Sequence, residues 1–304
     1  MKTATYAIKR AIPGLYPGIR PNLTVCNIPY NDGQPHKGVN KATDILYKYG
    51  LKDYLSLTSN FNQKTFTDVK PVCISRPDMY LQSMKLPTDD FKFFIGGDHS
   101  MSIATGASFI SKYENPGIII IDAHTDLNTE FTSPSGNIHG MTFAKLLGLN
   151  RFDWMNDLGV PLLKPKNIAY IGIRDLDQGE VELIDRLNIK TWYATEVNKI
   201  GFSNALYNAL NYLNGCSDIM VSFDVDSLDP SFISGTGTPV IHGLNHFDVM
   251  KGLWHVGEDE RVKQFEVVEF NPELCKKNKL ENECYNIIDI ILSAIATDVQ
   301  DSFI

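Results

Sequence analysis

The stretch Gly117-Ile118-Ile119-Ile120-Ile121-Asp122-Ala123-His124-Thr125-Asp126 decides how the chain is read. A short, continuous β-branched run with no polar alternation reads as a strand buried on both faces. It ends abruptly in acidic and imidazole side chains. Working outward, residues 23–28, 91–95, 168–173, 218–223 and 263–269 read as further strands. Residues 39–49, 100–113, 203–213, 246–256 and 281–297 read as helices, the last with Ile287, Ile288, Ile291, Leu292 and Ile295 at helical spacing. Strand–helix alternation implies an α/β fold, a parallel sheet with helices on both faces. No linker, composition shift or repeat interrupts it, so residues 1–304 read as a single domain. In such sheets the site lies beyond the carboxyl ends of the strands.

Composition narrows the partners. Apolar residues make up 43% and charged residues 21% of the 304, ordinary globular usage that excludes a collagen, a mucin or a largely disordered chain. With 28 Lys+Arg against 36 Asp+Glu, the net charge is −8, and there is no basic run. That argues against nucleic acid and anionic membranes and suits a cationic substrate better. No segment approaches the roughly 18 apolar residues of a membrane span. The first ten residues lack the apolar stretch of a signal peptide. Cys26, Cys73, Cys216, Cys275 and Cys284 are odd in number and have no CxxC spacing, so they read as free thiols in a reducing, cytoplasmic setting. The Asn22-Leu23-Thr24 sequon then has no role.

Three strand ends carry the same ligand types. They are Gly96-Gly97-Asp98-His99-Ser100, Asp122-Ala123-His124-Thr125-Asp126 and Asp224-Val225-Asp226-Ser227-Leu228-Asp229-Pro230. In extended backbone, residues at i, i+2 and i+4 share a side, so Asp122, His124 and Asp126 point together, as do Asp224 and Asp226. His99 completes the group if its strand is adjacent. A single Asp at a strand–helix junction is usually an N-cap. Four clustered carboxylates without a cation would instead repel one another. Two divalent ions balance their four charges, with His99 and His124 as neutral ligands. An oxygen-rich set with one imidazole per ion suits Mn²⁺, while Co²⁺, Ni²⁺, Fe²⁺ or Zn²⁺ also fit. Two ions sharing a water supply hydroxide at neutral pH, which makes the reaction class metal-assisted hydrolysis. Asp126 is a candidate acceptor for that hydroxide's hydrogen bond.

Together with Ser222-Phe223 before the third motif, these segments resemble the signature motifs of the ureohydrolases, the family of arginases and agmatinases. The resemblance runs from Gly33-Gln34-Pro35 to Glu269-Phe270-Asn271-Pro272. It implies a three-layer α/β/α sandwich with an eight-stranded parallel sheet and two Mn²⁺ per subunit. His99 and Asp126 would hold one ion, His124 and Asp226 the other, with Asp122 and Asp224 bridging. Within the family, residues 126–140 look like the arginase loop, in which Asn128, Ser133, Ser135 and Asn137 would bind the α-carboxylate through neutral donors. Alone, an Asn/Ser-rich loop is a turn. Asp177 and Glu180 would hold the α-ammonium, although their spacing also fits a helix capping box. His139 matches the family's proton shuttle. Glu269 matches the glutamate that pairs with the guanidinium, and Thr238 shapes the pocket.

The implied reaction is hydrolysis of L-arginine to L-ornithine and urea. A metal-bridging hydroxide attacks the guanidinium carbon, and Asp126 passes its proton to the leaving amine. The resemblance further implies a homo-oligomer, a trimer or hexamer. Departures from the arginase pattern lie at His36, at Asn40-Lys41-Ala42-Thr43, at His242-Gly243-Leu244 and at Asn245-His246-Phe247-Asp248, with no long polar tail before Ile304. None falls on the inferred ligands. The competing readings are an agmatinase or other guanidino-acid ureohydrolase, and a sensor that retains the pocket without turnover. Agmatine lacks the α-carboxylate that Ser135-Gly136-Asn137 suits.

Overall fold

The structure is a computed structural model that describes residues 22–61, 66–69 and 75–296. Its strands are β1 (Leu23–Asn27), β2 (Phe66–Val69), β3 (Phe91–Ile95), β4 (Pro116–Ile121), β5 (Ile168–Ile173), β6 (Lys190–Tyr193), β7 (Asp218–Asp224) and β8 (Val262–Val268). They form one eight-stranded sheet in the order β2-β1-β3-β8-β7-β4-β5-β6, with every pairing parallel.

The isoleucine run lies in the interior of the sheet, between β7 and β5, and feeds two cores. Ile119 and Ile121 join Phe93, Val221 and Phe265 on one face, covered by helices Phe202–Tyr212, His246–Gly252 and Leu280–Ile295. Ile118 and Ile120 join Phe94, Met220 and Tyr170 on the other, covered by helices Arg76–Met84, Ser102–Lys112 and Gln178–Leu187. Successive side chains point to opposite faces, so a strand packed on both sides must be apolar throughout. Full burial of one such side chain contributes about 1.5–3 kcal/mol. The three-layer arrangement with an eight-stranded sheet is the architecture expected from the sequence.

Some elements differ in detail. The helix expected over residues 39–49 opens with a 3-10 turn, Val39–Lys41, after Gly38 at φ 113°, and continues as Ala42–Lys48. The helix expected over 246–256 divides at Leu253 into His246–Gly252 and Trp254–Glu258. Strands β2 and β6 were not expected. Both are four-residue edge strands, and their Thr67-Asp68 and Lys190-Thr191 pairs lack the apolar run of a central strand. Cys73, the amino-terminal segment and Thr297 lie outside the described residues. Cys216, Cys275 and Cys284 form no disulfide. Among the described residues, no helix is long and apolar enough to cross a membrane.

Candidate active site and metal centre

The second and third motifs follow neighbouring strands, β4 and β7, but β3 is separated from both by β8. The condition placed on His99, that its strand be adjacent, is therefore not met. The side chain arrives by another route. After β3, Gly96 donates to Val267 O at 2.7 Å, and Gly97 accepts from Glu269 N at 2.9 Å, which carries the chain over the end of β8. A Cβ at Gly97 would lie 1.7 Å from Tyr30 O, so only glycine fits this crossing. Asp98 then caps the 3-10 turn His99–Met101 by accepting from Ser100 N, and His99 turns inward.

The same-side argument for i, i+2 spacing also needs correction. Residues 122–124 form a bend beyond β4, not extended strand. Asp122 Oδ1 accepts from His124 N at 2.8 Å, and Asp126 is left-handed at φ 51°. In the third motif, Asp224 Oδ1 accepts from Asp226 N at 2.9 Å to open the turn Val225–Ser227. Local side-chain-to-backbone bonds, not strand geometry, bring the ligand atoms together.

The six expected ligands meet at one place. His99 Nδ1 lies 3.1 Å from Asp122 Oδ2, 3.0 Å from Asp126 Oδ2 and 3.2 Å from Asp224 Oδ2. His124 Nδ1 lies 3.2 Å from Asp226 Oδ2 and 3.6 Å from Asp122 Oδ1. Two ligand groups result, His99–Asp122–Asp126 and Asp122–His124–Asp226, with Asp122 in both. His99 Nδ1, Asp122 Oδ2 and Asp126 Oδ2 are buried without a hydrogen-bond partner. Buried polar atoms are rarely left unpaired. Donors about 2.1 Å from one ion and at right angles to each other are roughly 3.0 Å apart, the spacing seen here.

Electrostatics favours the same reading. Burial raises the pKa of Asp224 well above the ordinary carboxylate value, and repulsion from Asp226 and Asp122 adds to it. Burial also raises Asp126 and Asp226, reinforced in both by Asp122 and opposed by the nearby histidines. Divalent cations would relieve this strain. The donor set, the orphaned atoms and the charge together fit a binuclear metal site.

Behind the ligands stands a network that reading along the chain did not find. Ser222 on β7 pairs with Glu266 on β8 across the sheet, and its Oγ donates to Glu266 Oε1 at 2.8 Å. The same Oγ lies 2.9 Å from His99 Nε2. Since Ser222 has spent its proton on Glu266, Nε2 is the donor, and Nδ1 is left to face the carboxylates. Glu266 also accepts from Ser102 and Thr105. Ser222 stood inside the third motif; only the strand register reveals its partner.

A pocket over the ligand groups is lined by His124, Asp126, Asn128, Ser133, Ser135 and His139. Gly140, Asp177, Glu180, Asp224, Asp226 and Thr238 complete that lining. Asn137 and Glu269 lie outside the pocket lining. Glu269, almost fully buried and left-handed at φ 65°, accepts from His99 N at 2.8 Å, and its Oε1 lies 3.1 Å from His139 Nδ1. Burial opposes charge on His139, but Glu269 outweighs it and raises the imidazole pKa to about 9. Asp177 and Glu180 form the capping box of helix Gln178–Leu187. Asp177 Oδ2 still faces the pocket and accepts from Asn128 Nδ2 at 2.8 Å. Glu180 is buried, with Oε1 accepting from Thr125 Oγ1 at 2.7 Å and Leu127 N at 3.0 Å, and Oε2 from Asp177 N at 2.9 Å. Thr238 Oγ1 donates to Asp226 Oδ2 at 2.9 Å. In the loop, Ser133 Oγ accepts from Gly136 N and Ser135 Oγ from Asn137 N, which shapes it without a ligand.

Known proteins are similar to this chain in sequence and fold. The profile described as the Arginase family matches residues 24–294. The chain is 37% identical over 203 residues to the arginase of Bacillus subtilis (strain 168), covering 66% of this chain and 69% of that protein. It is 33% identical over 282 residues to arginase-1 of Bos taurus, covering 84% of this chain and 86% of that one. Its structure is similar to the crystal structure of Entamoeba histolytica arginase in complex with L-ornithine. The TM-score is 0.81 at 27% identity, with 90% of this chain and 97% of that chain covered. With its fold, ligand groups and sequence in agreement, the chain belongs to the arginase family.

Proposed function

We propose that the protein hydrolyses L-arginine to L-ornithine and urea, and that its two metal ions are Mn²⁺. The observation that carries this is the placement of two ligand groups sharing Asp122 beneath a pocket lined by Asn128, Ser133 and Ser135 as well as by Asp177. That layout offers neutral donors for an α-carboxylate and a carboxylate for an α-ammonium. The E. histolytica relative, solved with L-ornithine, supports the same ligand class.

In this reading His99, Asp122, His124, Asp126, Asp224 and Asp226 would hold the ions, Asp122 being common to both ligand groups. When bound, two such ions lower the pKa of a water and stabilise charge developing in the substrate. Asp126, whose Oδ2 has no hydrogen-bond partner, takes a proton from the attacking water and returns it to the leaving amine. Water oxygen adds to the guanidinium carbon and the bond to the arginine Nε breaks, so that the ornithine nitrogen leaves as an amine; the second water proton, still on the added oxygen, then passes to that amine, leaving urea and the ornithine ammonium. His139, only partly buried, exchanges protons with solvent, and Glu269 holds it through Nδ1 while providing negative charge for the guanidinium. Asn128, Ser133 and Ser135 orient the α-carboxylate and Asp177 the α-ammonium; Asn137, outside the lining, supports them by donating its N–H to Ser135 Oγ. Glu180 acts by fixing Asp177 and the backbone at Leu127. Thr238 steadies Asp226.

We further propose a cytoplasmic homo-oligomer, a trimer or hexamer, of single-domain subunits. Buried thiols at Cys216 and Cys284 and exposed Phe247, in the departing 245–248 segment, support that reading. A fully active monomer in light scattering would remove the assembly. The function itself is tested by urea release from L-arginine after loading with Mn²⁺; no release from the loaded protein contradicts it.

A further inference from the structure

Arg174 leaves the end of β5 and lies across backbone that the sheet can no longer pair. Its Nη2 donates to Asp226 O at 2.7 Å and Val240 O at 2.9 Å, with Leu228 O at 3.4 Å. Its Nη1 donates to Gly172 O and Ser227 O, both at 3.2 Å, and Nε to Ile241 O at 3.3 Å. One guanidinium therefore joins three segments: the last residues of β5, the third ligand motif and the loop beyond Thr238. A fixed fork of five N–H groups can reach carbonyls in several directions, and a lysine ammonium cannot.

Within the third motif its bonds fall on the carbonyls of Asp226, Ser227 and Leu228, not on Asp224, whose Oδ2 faces His99. Asp226 belongs to the group with His124, and Thr238 donates to its Oδ2. Both the Asp226 carbonyl and the loop carrying Thr238 are therefore tied to the same side chain. Asp126, in the His99 group, has its carbonyl satisfied elsewhere, by Phe143 N at 3.1 Å and Ala144 N at 3.4 Å. We propose that Arg174 is a positioning residue, a clasp that sets Asp226 and so the affinity of the ion held with His124. This rests on the two-ion reading given above.

The test compares Arg174→Lys and Arg174→Gln with the unmodified protein and with Arg261→Lys. Arg261 is a similar clasp at the opposite end of the sheet, donating to Leu213 O at 2.9 Å and Leu210 O at 3.1 Å. Metal-free proteins are titrated with Mn²⁺ by equilibrium dialysis with elemental analysis, and by electron paramagnetic resonance, which separates coupled pairs from single ions. In both Arg174 variants one ion should bind as before, and the second should weaken by about 10- to 100-fold, the usual effect of losing an outer-sphere partner. Their urea release should fall at limiting Mn²⁺ and recover at excess. Arg261→Lys should keep both ions. Unchanged binding of both ions, equal weakening of both, or failure of both Arg174 variants to fold would overturn the proposal. An unmodified protein that binds a single ion overturns the two-ion reading as well. Two ions bound without urea release overturns only the arginine reading.

Discussion

Gly33 packs so closely that a single methyl group there should cost both stability and turnover. A Cβ at this position would lie 2.3 Å from both Asp98 Oδ1 and Ser100 Oγ. Neither neighbour can retreat easily, because Asp98 is buried and already bonded to Ser100, one residue from His99. Gly33→Ala must therefore push its own loop outward. Two hydrogen bonds go with it: Gly33 N to Asp98 Oδ2 at 2.9 Å and His139 N to Gly33 O at 3.1 Å. A bond to a charged acceptor contributes about 1.5–3 kcal/mol and a neutral backbone bond about 0.5–1.5, so the loss is about 2–4.5 kcal/mol. In a chain of 304 residues that lowers Tm by roughly 3–7 °C. His139 would be displaced at the same time, and a shift of about 1 Å in a reacting group can cost about 10²-fold. We expect kcat for L-arginine to fall by about that factor while KM moves less than about threefold, since contacts to the amino-acid end are untouched. Scanning calorimetry and steady-state urea release measure both, with Gly215→Ala as control, where an added Cβ meets nothing within 4 Å. Wild-type Tm and kcat in Gly33→Ala would refute the claim that this loop positions His139.

Further outcomes follow from the same geometry. Asp122→Ala, which removes the residue common to both ligand groups, should lose both ions, whereas His99→Ala should lose one; elemental analysis of dialysed protein decides this. Asp177→Ala should lower kcat/KM for arginine by about 10- to 150-fold, as expected for a lost hydrogen bond between charged groups, and should change agmatine turnover far less. Loss of the helix cap should also destabilise the variant by about 1 kcal/mol. In the metal-free protein, His139 has a folded pKa raised to about 9 from 6.5. Its contribution is thus fully present below pH 6.5 and lost as pH rises through 9, at most about 3 kcal/mol. Denaturant titrations of wild type and His139→Asn should therefore differ most at low pH and converge above pH 9; a constant gap would contradict the pairing with Glu269.

The fold was legible wherever burial on both faces forced an unbroken apolar run, as in Ile118–Ile121, and illegible at the edges. Strands β2 and β6 bear polar residues, because an edge strand has neighbours on one side only. The ligand residues announced themselves by type and position at strand ends. How they converge did not, because it depends on the crossing at Gly97 and on turns made by Asp122 and Asp224 with their own backbones. Partners set by strand register or by distant loops carry no local signal. Ser222 with Glu266, and Arg174 with Val240, lie 44 and 66 positions apart. Glu180 was readable both as a substrate ligand and as a cap; in the structure its carboxylate is engaged by Thr125, Leu127 and Asp177.

The central claim is that this pocket recognises an amino acid at one end and a guanidinium at the other. The most direct measurement is kcat/KM for L-arginine and for agmatine on one preparation loaded with Mn²⁺. Agmatine leaves the donors of Asn128, Ser133 and Ser135 without their anion, and water can fill only part of that gap. The account predicts a preference for L-arginine of roughly 10²-fold or more. Equal or faster hydrolysis of agmatine would contradict it.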